Sequence, residues 1–203
     1  MAKEARILFT IGHTTHSINE FVSLLKQHGV TAIADVRSQP YSSRLEQFNR
    51  EPLATALNAA GILYSFFGEE LGARRVEEEC YDGDRADYNR IAVLPKFLEG
   101  LNRLRKTSAQ YRIALLCAEK EPLDCHRTIL ICRYLRDEFD ILHILSDGTI
   151  EDHPHAEMRL VHQMGVSLPL FDQDIKGDLL IQAAYDKRSL QIAYRIREER
   201  VPQ

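Results

Sequence analysis

The segment from Cys117 to Arg127 contains the residue types best suited to chemistry. Cys117 ends an apolar run, and Cys125, His126 and Arg127 stand together where the pattern predicts the start of a helix. Free N–H groups and the helix dipole at such a position favour a thiolate, which can act as a nucleophile or bind a metal. We therefore expect Cys125 to be the most reactive thiol. Burial as an inert thiol is the competing interpretation, because cysteine is among the most often buried residues.

Polar side chains also follow the other apolar runs. In an open parallel sheet the carboxyl ends of the strands meet at one edge, and ligands bind there. A single polar residue at a strand end carries little weight, but five runs that end this way indicate a site. We predict one concave site with the catalytic residues His13, Asp35, Cys117, Glu119 and Cys125 and the substrate-binding residues Arg37, Ser43, Arg44, Arg74, His126 and Arg127.

Apolar runs alternate with helical patterns, which predicts βαβ units and a mainly parallel sheet with helices on both faces. The five predicted strands are Ile7–Ile11, Thr31–Val36, Ile62–Phe67, Arg112–Cys117 and Phe139–Leu145. Helices are predicted from a capping box at Ser17 to Gly29, over 51–60 and 87–104, and from Cys125 or His126 onward.

The tail has helical patterns over 155–164 and 178–199. We expect a single α/β domain with a five-stranded core over 1–150 and a helical C-terminal extension of the same domain over 151–203. Residues 68–84 are charged and contain glycine, and we expect a mobile flap over the site there.

Composition excludes several classes of protein. The 203 residues are 44% hydrophobic with a formal net charge of −4, which fits a globular protein and not a globally basic nucleic-acid coat. We find neither a signal-peptide pattern nor an apolar run of about 18 residues, so we expect no membrane partner. The four cysteines include no C-x-x-C pair, and we expect free thiols in a cytoplasmic, reducing compartment.

Several motifs occur in an order that resembles the domain-of-unknown-function 488 family. The resemblance spans roughly residues 6–150, implies an α/β fold and implies no reaction. Ala73 departs from the family pattern, which often has a second glycine after Gly72. The motifs are Thr10-Ile11-Gly12-His13, Asp35-Val36-Arg37 with Pro40 and Ser42 or Ser43, Glu70-Leu71-Gly72, Cys117-Ala118-Glu119, Cys125-His126-Arg127 and His143-Ile144.

A weaker similarity links the strand that ends in Asp-Val-Arg to rhodanese-type sulfurtransferases. Those proteins place an arginine soon after the reactive cysteine in a tight loop. Here Arg127 follows Cys117 by ten residues and Cys125 by two, and neither spacing matches. The similarity is an analogy only.

The preferred functional interpretation is an enzyme, either a transferase or a hydrolase. It would act on an anionic, phosphate-bearing ligand such as a nucleotide or a nucleic-acid component, with a cysteine nucleophile and with Asp35 or Glu119 as acid or base. A second interpretation is a non-catalytic module that binds nucleic acid or a phosphate ligand and stacks bases on aromatic side chains. The aromatic candidates for stacking are Tyr41, Phe48, Tyr64, Phe66 and Phe67.

A third interpretation is a metal-binding protein. His13, Cys117, Cys125 and His126 would suit zinc or iron, although the Cys117–Cys125 spacing is not a recognised zinc motif. The preferred interpretation assigns no residue to a metal. The cofactor, the oligomeric state and the strand order are left open.

Overall fold

A computed structural model describes residues 6–167 and 176–196, with only the backbone of Lys176. A six-stranded sheet in the order β3-β2-β6-β1-β7-β8 forms its centre. The first five strands of that order run parallel and β8 runs antiparallel to β7. The strands are β1 (Arg6–Gly12), β2 (Ala32–Asp35), β3 (Leu63–Phe66), β4 (Tyr81–Asp82), β5 (Arg85–Ala86), β6 (Ile113–Cys117), β7 (Phe139–Ile144) and β8 (Ile150–Asp152), of which β4 and β5 form a separate hairpin.

The α/β prediction is confirmed, but the sheet has six strands and not five. The additional strand β8 is Ile-Glu-Asp, with one exposed and two partly buried residues. So short and polar a segment gives no apolar run that a sequence pattern could detect. A tight turn at Gly148, whose φ is 84°, brings it back to pair with β7 as an edge strand.

Helices cover both faces of the sheet. The predicted capping box is present, since the Ser17 hydroxyl accepts from the Glu20 N–H and the Glu20 carboxylate accepts from the Ser17 N–H. The predicted helix over 87–104 is two helices, because Pro95 disfavours helical geometry at Leu94 and starts a new helix itself. The helices are α1 (Ile18–Gln27), α2 (Arg50–Ala59), α3 (Gly68–Leu71), α4 (Tyr88–Ala92), α5 (Pro95–Thr107), α6 (His153–Met164) and α7 (Lys176–Ile192).

The core has two parts, one on each face of the sheet. Phe9 and Ile11 of β1 pack with α1 and α2, while Leu8 of β1 packs with the residues of α4 to α7. The alternation follows from the two-residue period of a strand. Helices α6 and α7, from the predicted extension, thus bury their side chains in the same core as the sheet. In the described part of the chain, no helix combines the length and apolar character needed to cross a bilayer.

A buried chain of hydrogen bonds ties α7 to the sheet. Thr10 Oγ1 and His143 Nδ1 are 2.8 Å apart, and His143 Nε2 lies 3.0 Å from His153 Nδ1. His153 Nε2 lies 2.9 Å from the Tyr185 hydroxyl, which donates to Glu157 Oε1 at 2.9 Å. One direction of donation satisfies every link, from the Thr10 hydroxyl to the Glu157 carboxylate, with both imidazoles neutral.

The expected flap over 68–84 is a packed segment. Leu71 and Cys80 are fully buried, and the Arg75 guanidinium donates to the carbonyl groups of Glu69 and Glu70 and to the Glu77 carboxylate. Arg75 is thus held inside this segment, while Glu78, Glu79 and Asp82 remain exposed. Of the predicted helix over 178–199, the part to Ile192 is confirmed within α7, residues 193–196 are not helical, and 197–199 lie outside the described residues.

Candidate functional site

A cavity of 230 Å³ opens at the carboxyl ends of β2 and β6. Parallel strands that end beside each other leave such a crevice, and the loops beyond them provide its walls. The cavity brings together residues from five separate parts of the chain. Its lining includes Arg37, Ser38, Gln39, Arg74, Tyr88, Cys117, Glu119, Asp124, Cys125, His126, Ile192 and Tyr194.

Two thiols and an imidazole meet on the wall of this cavity. His126 Nδ1 lies 3.6 Å from Cys117 Sγ and 3.8 Å from Cys125 Sγ. His126 Nε2 lies 3.0 Å from the Val36 carbonyl oxygen. Because a carbonyl oxygen can only accept, Nε2 carries a proton, and Nδ1 is the nitrogen that exchanges a proton with the thiols.

The cluster makes the two thiols unequal. A side-chain hydrogen bond with Cys125 lowers the pKa of Cys117 well below the ordinary thiol value; burial opposes this, and the charge of His126 adds to it. Burial, and then the hydrogen bond with Cys117, raises the pKa of Cys125 well above that value. Burial alone would lower the pKa of His126, but the neighbouring Cys117 thiolate raises it. The favoured state is therefore a Cys117 thiolate beside a protonated Cys125 and an imidazolium.

The local backbone places Cys125 directly before a helical turn, as the sequence predicted. Cys125 follows a 3-10 turn (Pro122–Asp124) in extended conformation, and a single π-helical turn (Arg127–Ile131) starts after it. Its Sγ accepts from the Arg127 N–H at 3.5 Å. Cys125 thus caps a turn and is 1% exposed, whereas Cys117, which is 6% exposed, ends the strand. Short π-helical turns are often found at functional sites.

Asp35 holds Arg37 against the cavity. The Arg37 Nε and Nη2 donate to the two oxygens of Asp35 at 2.8 and 2.6 Å, and the Tyr64 hydroxyl donates to Asp35 Oδ2 at 2.8 Å. The Arg37 backbone N–H also donates to Oδ1. Asp35 is fully buried and accepts hydrogen bonds on both oxygens, so it holds Arg37 in a fixed orientation.

Arg127 lies beneath the cavity and supports its floor. It is 1% exposed, and its guanidinium donates to the carbonyl groups of Glu119 at 2.7 Å and Lys120 at 3.3 Å. The loop passes so close to β1 that a Cβ on Gly12 would lie 1.9 Å from the Glu119 carbonyl oxygen. Arg127, a predicted substrate-binding residue, is not among the residues that line the cavity, and its guanidinium contacts the loop after Cys117.

His13 lies behind the cavity rather than in its wall. Its ring stacks on Phe48 with centroids 4.3 Å apart, and its Nδ1 donates to the Thr14 carbonyl oxygen at 3.0 Å. Thr14 has a φ of 44°, which is uncommon for a residue other than glycine. Burial lowers the pKa of His13, which is close enough for its charge to interact with Arg37 and Cys117.

The rim of the cavity comes from segments far apart in the sequence. Arg74 is exposed, donates to the Gln39 side chain at 2.8 Å and has its guanidinium 4.9 Å from the Tyr194 ring centroid. The Tyr194 carbonyl accepts from the Ala86 N–H, which fixes the segment after α7 on the β4–β5 hairpin. Burial raises the pKa of Tyr88, so its hydroxyl stays protonated at the cavity.

Some predicted site residues are elsewhere. Ser43 and Arg44 are exposed in the loop after β2 and do not line the cavity. Tyr88 and Tyr194 were missed, since one lies within a helical pattern and the other in the tail, and neither follows a sheet strand. Of the proposed stacking residues, Phe48 and Phe67 are core residues.

The cluster also matches part of a metal site. The Sγ atoms of Cys117 and Cys125 and a ring nitrogen of His126 lie within 4.8 Å of one another. Two thiolates, one imidazole and a fourth position open to a cavity form a ligand set known for catalytic zinc. A histidine that binds a metal usually donates from its other nitrogen to a carbonyl or carboxylate, as His126 does to Val36. His13 is not part of this cluster.

Comparison with known proteins gave one match. The family model described as "Domain of unknown function DUF488" matches residues 17–134, more than half of the chain, and confirms the resemblance seen in the sequence. Neither the search of curated proteins nor that of solved structures gave a match. The matched range contains the three cluster residues but not Tyr194 or β1.

Proposed function

This chain belongs to the DUF488 family, whose description names no reaction, and we propose that it is a cysteine-dependent enzyme that acts on a small anionic substrate. The observation that supports this most directly is the 3.6 Å contact between Cys117 Sγ and His126 Nδ1 at a cavity beside Arg37. A thiolate next to an imidazolium is the usual form of an activated cysteine nucleophile.

Two arginines provide the binding site for the anion. Asp35 binds Nε and Nη2 of Arg37. The remaining nitrogen, Nη1, has no hydrogen-bond partner among the described residues and is the one that Arg37 offers to the anion. Arg74 stands on the rim, where its side chain contacts only the neutral groups of Gln39 and Tyr194 within the described chain. Guanidinium groups bind phosphate and carboxylate oxygens through paired hydrogen bonds. A phosphate-bearing ligand, such as a nucleotide or a nucleic-acid component, is the class we favour.

The reaction follows from this arrangement. Arg37 and Arg74 bind the substrate oxyanion, and the Cys117 sulfur attacks the electrophilic atom that carries it. The bond to the leaving group breaks, and the leaving group takes the proton from His126 Nδ1. Water or an acceptor alcohol then displaces Cys117, its proton passing to His126 or to the exposed carboxylate of Glu119 on the cavity wall. Water as the acceptor makes the enzyme a hydrolase, and an alcohol makes it a transferase.

The test uses two chromogenic esters with the same leaving group. We expect 4-nitrophenol release from anionic 4-nitrophenyl phosphate, abolished in Cys117→Ser and in His126→Ala. Arg74→Ala should raise KM for the phosphate ester and leave release from neutral 4-nitrophenyl acetate unchanged. Arg44→Ala is the matched control, because Arg44 is equally exposed but lies outside the cavity.

Two results would overturn the proposal. One is the absence of phosphate-ester cleavage, together with the absence of any covalent adduct on Cys117 when a panel of anionic esters is examined by mass spectrometry. The other is a rate that Cys117→Ser leaves unchanged.

A second candidate function is a zinc-dependent reaction at the same cluster, favoured by the hydrogen bond from His126 Nε2 to Val36. The ion would be bound by Cys117, Cys125 and His126 and would act as a Lewis acid on the substrate oxyanion. Elemental analysis of the purified protein tests this candidate. Stoichiometric zinc that is lost in His126→Ala supports it, while metal-free active protein excludes it.

A further inference from the structure

Cys117 and Cys125 lie eight positions apart in the sequence, and the fold brings their sulfur atoms together. The two Sγ atoms are within 4.8 Å of each other, and each lies within 4 Å of His126 Nδ1. The other two cysteines of the chain, Cys80 and Cys132, are also free and buried, but neither belongs to this cluster. The thiols of Cys117 and Cys125 are therefore adjacent, and both line the cavity.

We propose that Cys117 and Cys125 form a reversible disulfide when the cavity admits a hydroperoxide, and that this bond switches the enzyme off. The loss of activity on disulfide formation rests on the proposed function, since that function takes Cys117 as the nucleophile. The formation of the bond itself rests only on the geometry of the two thiols.

The reaction proceeds in two steps. The Cys117 thiolate attacks the outer oxygen of the hydroperoxide, the O–O bond breaks, and the departing alkoxide takes the proton that Cys117 gave to His126 Nδ1 and leaves as an alcohol. Cys117 is now a sulfenic acid, two electrons more oxidised. The Cys125 sulfur then attacks the Cys117 sulfur and expels hydroxide, which takes the Cys125 proton and leaves as water. Two thiols and one hydroperoxide thus give one disulfide, one alcohol and one water.

Burial fixes the order of the two cysteines. Cys117 is 6% exposed and ends a strand at the cavity, so an oxidant reaches it first; Cys125 is 1% exposed. Cys117 is therefore the peroxide-reactive thiol, and Cys125 resolves the sulfenic acid.

The backbone between the two cysteines allows the bond to close. A disulfide requires the sulfur atoms to approach to about 2.05 Å, which calls for a change of side-chain torsion at one or both residues. The intervening residues form a loop and a 3-10 turn rather than a strand or a long helix. Arg127 binds the carbonyl groups of Glu119 and Lys120, so the loop stays in place while the sulfur atoms move.

The experiment exposes the full-length protein, as purified and after treatment with a chelator, to stoichiometric hydrogen peroxide. We expect a mass loss of about 2 Da, the two hydrogens of the thiols. Peptide mapping should find the bond between Cys117 and Cys125, and dithiothreitol should reverse it. In Cys125→Ser the sulfenic acid should persist on Cys117 and be trapped by dimedone, which should label the wild type far less.

Cys132→Ala is the matched control, because it removes a buried thiol outside the cluster and should leave disulfide formation unchanged. A bond that involves Cys80 or Cys132, or direct over-oxidation of wild-type Cys117 to a sulfinic acid, would overturn the inference. If the disulfide forms but the protein cleaves no anionic ester, the inference of a disulfide between Cys117 and Cys125 stands. The proposed function and the loss of activity on oxidation are then refuted. If the protein cleaves the ester but forms no disulfide, the proposed function stands and the inference of the disulfide is refuted.

Discussion

Asp35 and Arg37 face each other through two parallel hydrogen bonds of 2.8 and 2.6 Å, although only one residue separates them in the chain. Both side chains are buried, and the Tyr64 hydroxyl completes the binding of the carboxylate. The pair places one guanidinium at the cavity in a fixed orientation. It leaves Nη1 of Arg37 without a hydrogen-bond partner among the described residues.

Asp35→Asn should destabilise the protein strongly. It leaves the buried Arg37 without its counter-charge, and loss of one partner of a buried ion pair costs about 3–5 kcal/mol of the free energy of unfolding. Tyr64→Phe removes one neutral donor from the same carboxylate and should cost only about 1–2 kcal/mol. Urea unfolding at neutral pH measures both variants. Equal losses would show that the ion pair contributes no more than the phenol.

The pH dependence of alkylation should identify Cys117 as the thiolate. The rate with iodoacetamide depends on the thiolate fraction, and the pKa of Cys117 is lowered mainly by its hydrogen bond with Cys125. In the wild type the Cys117 rate should stay constant as the pH falls below about 8.5, the ordinary thiol pKa. The alkylation rate should decline only when the pH falls through the lowered pKa of Cys117.

Cys125→Ala should shift that decline to higher pH, toward the ordinary thiol value, because it removes the hydrogen bond. Cys132→Ala should leave the profile unchanged. Peptide mapping assigns each rate to its cysteine. A Cys117 profile centred near 8.5 in the wild type, or one that Cys125→Ala does not move, would contradict the assignment.

Gly12→Ala should displace the loop after Cys117. The added methyl would lie 1.9 Å from the Glu119 carbonyl oxygen, so either that loop or β1 must shift. We expect a loss of about 1–3 kcal/mol in the free energy of unfolding, typical of overpacking, and slower alkylation of Cys117. Gly177→Ala in α7 is the control, because its new methyl meets nothing within 4 Å and alanine favours helix. Similar losses in both variants would refute the steric argument.

Tyr185→Phe should loosen α7. The substitution removes the hydroxyl that joins His153 to Glu157, so His153 Nε2 loses its 2.9 Å partner while Glu157 Oε1 keeps its hydrogen bond from Arg136, at a cost of about 1–3 kcal/mol. Amide exchange in α7 should increase, and so should exchange at Tyr194, which follows the helix at the rim of the cavity. Tyr111→Phe, at a partly exposed position, should change neither. Unchanged exchange in α7 would mean that apolar packing alone holds the helix.

The central strands and the approximate site followed from local patterns in the sequence. The apolar run before Cys117 predicted both a strand and the position of Cys117 at its end. The inequality of the two thiols did not follow, because it depends on a contact between residues 117 and 125 that no local pattern encodes. Tyr194 was missed for the same reason, since only tertiary packing brings the end of α7 to Arg74. The pattern of residue types and charges likewise could not show that the Arg127 guanidinium donates to the carbonyl groups of the loop after Cys117.

The position of β1 in the sheet sets the order in which this chain can fold during synthesis. β1 comes first in the described chain, yet its partners are β6 and β7, which begin at Ile113 and Phe139. The ribosome must therefore release more than 130 residues before β1 can form hydrogen bonds on both sides. Until then at least one edge of β1 has unpaired backbone N–H and C=O groups, and pairing over so long a separation in sequence favours slow folding. Most of the segment with the thiol cluster is synthesised while the centre of the sheet is still incomplete.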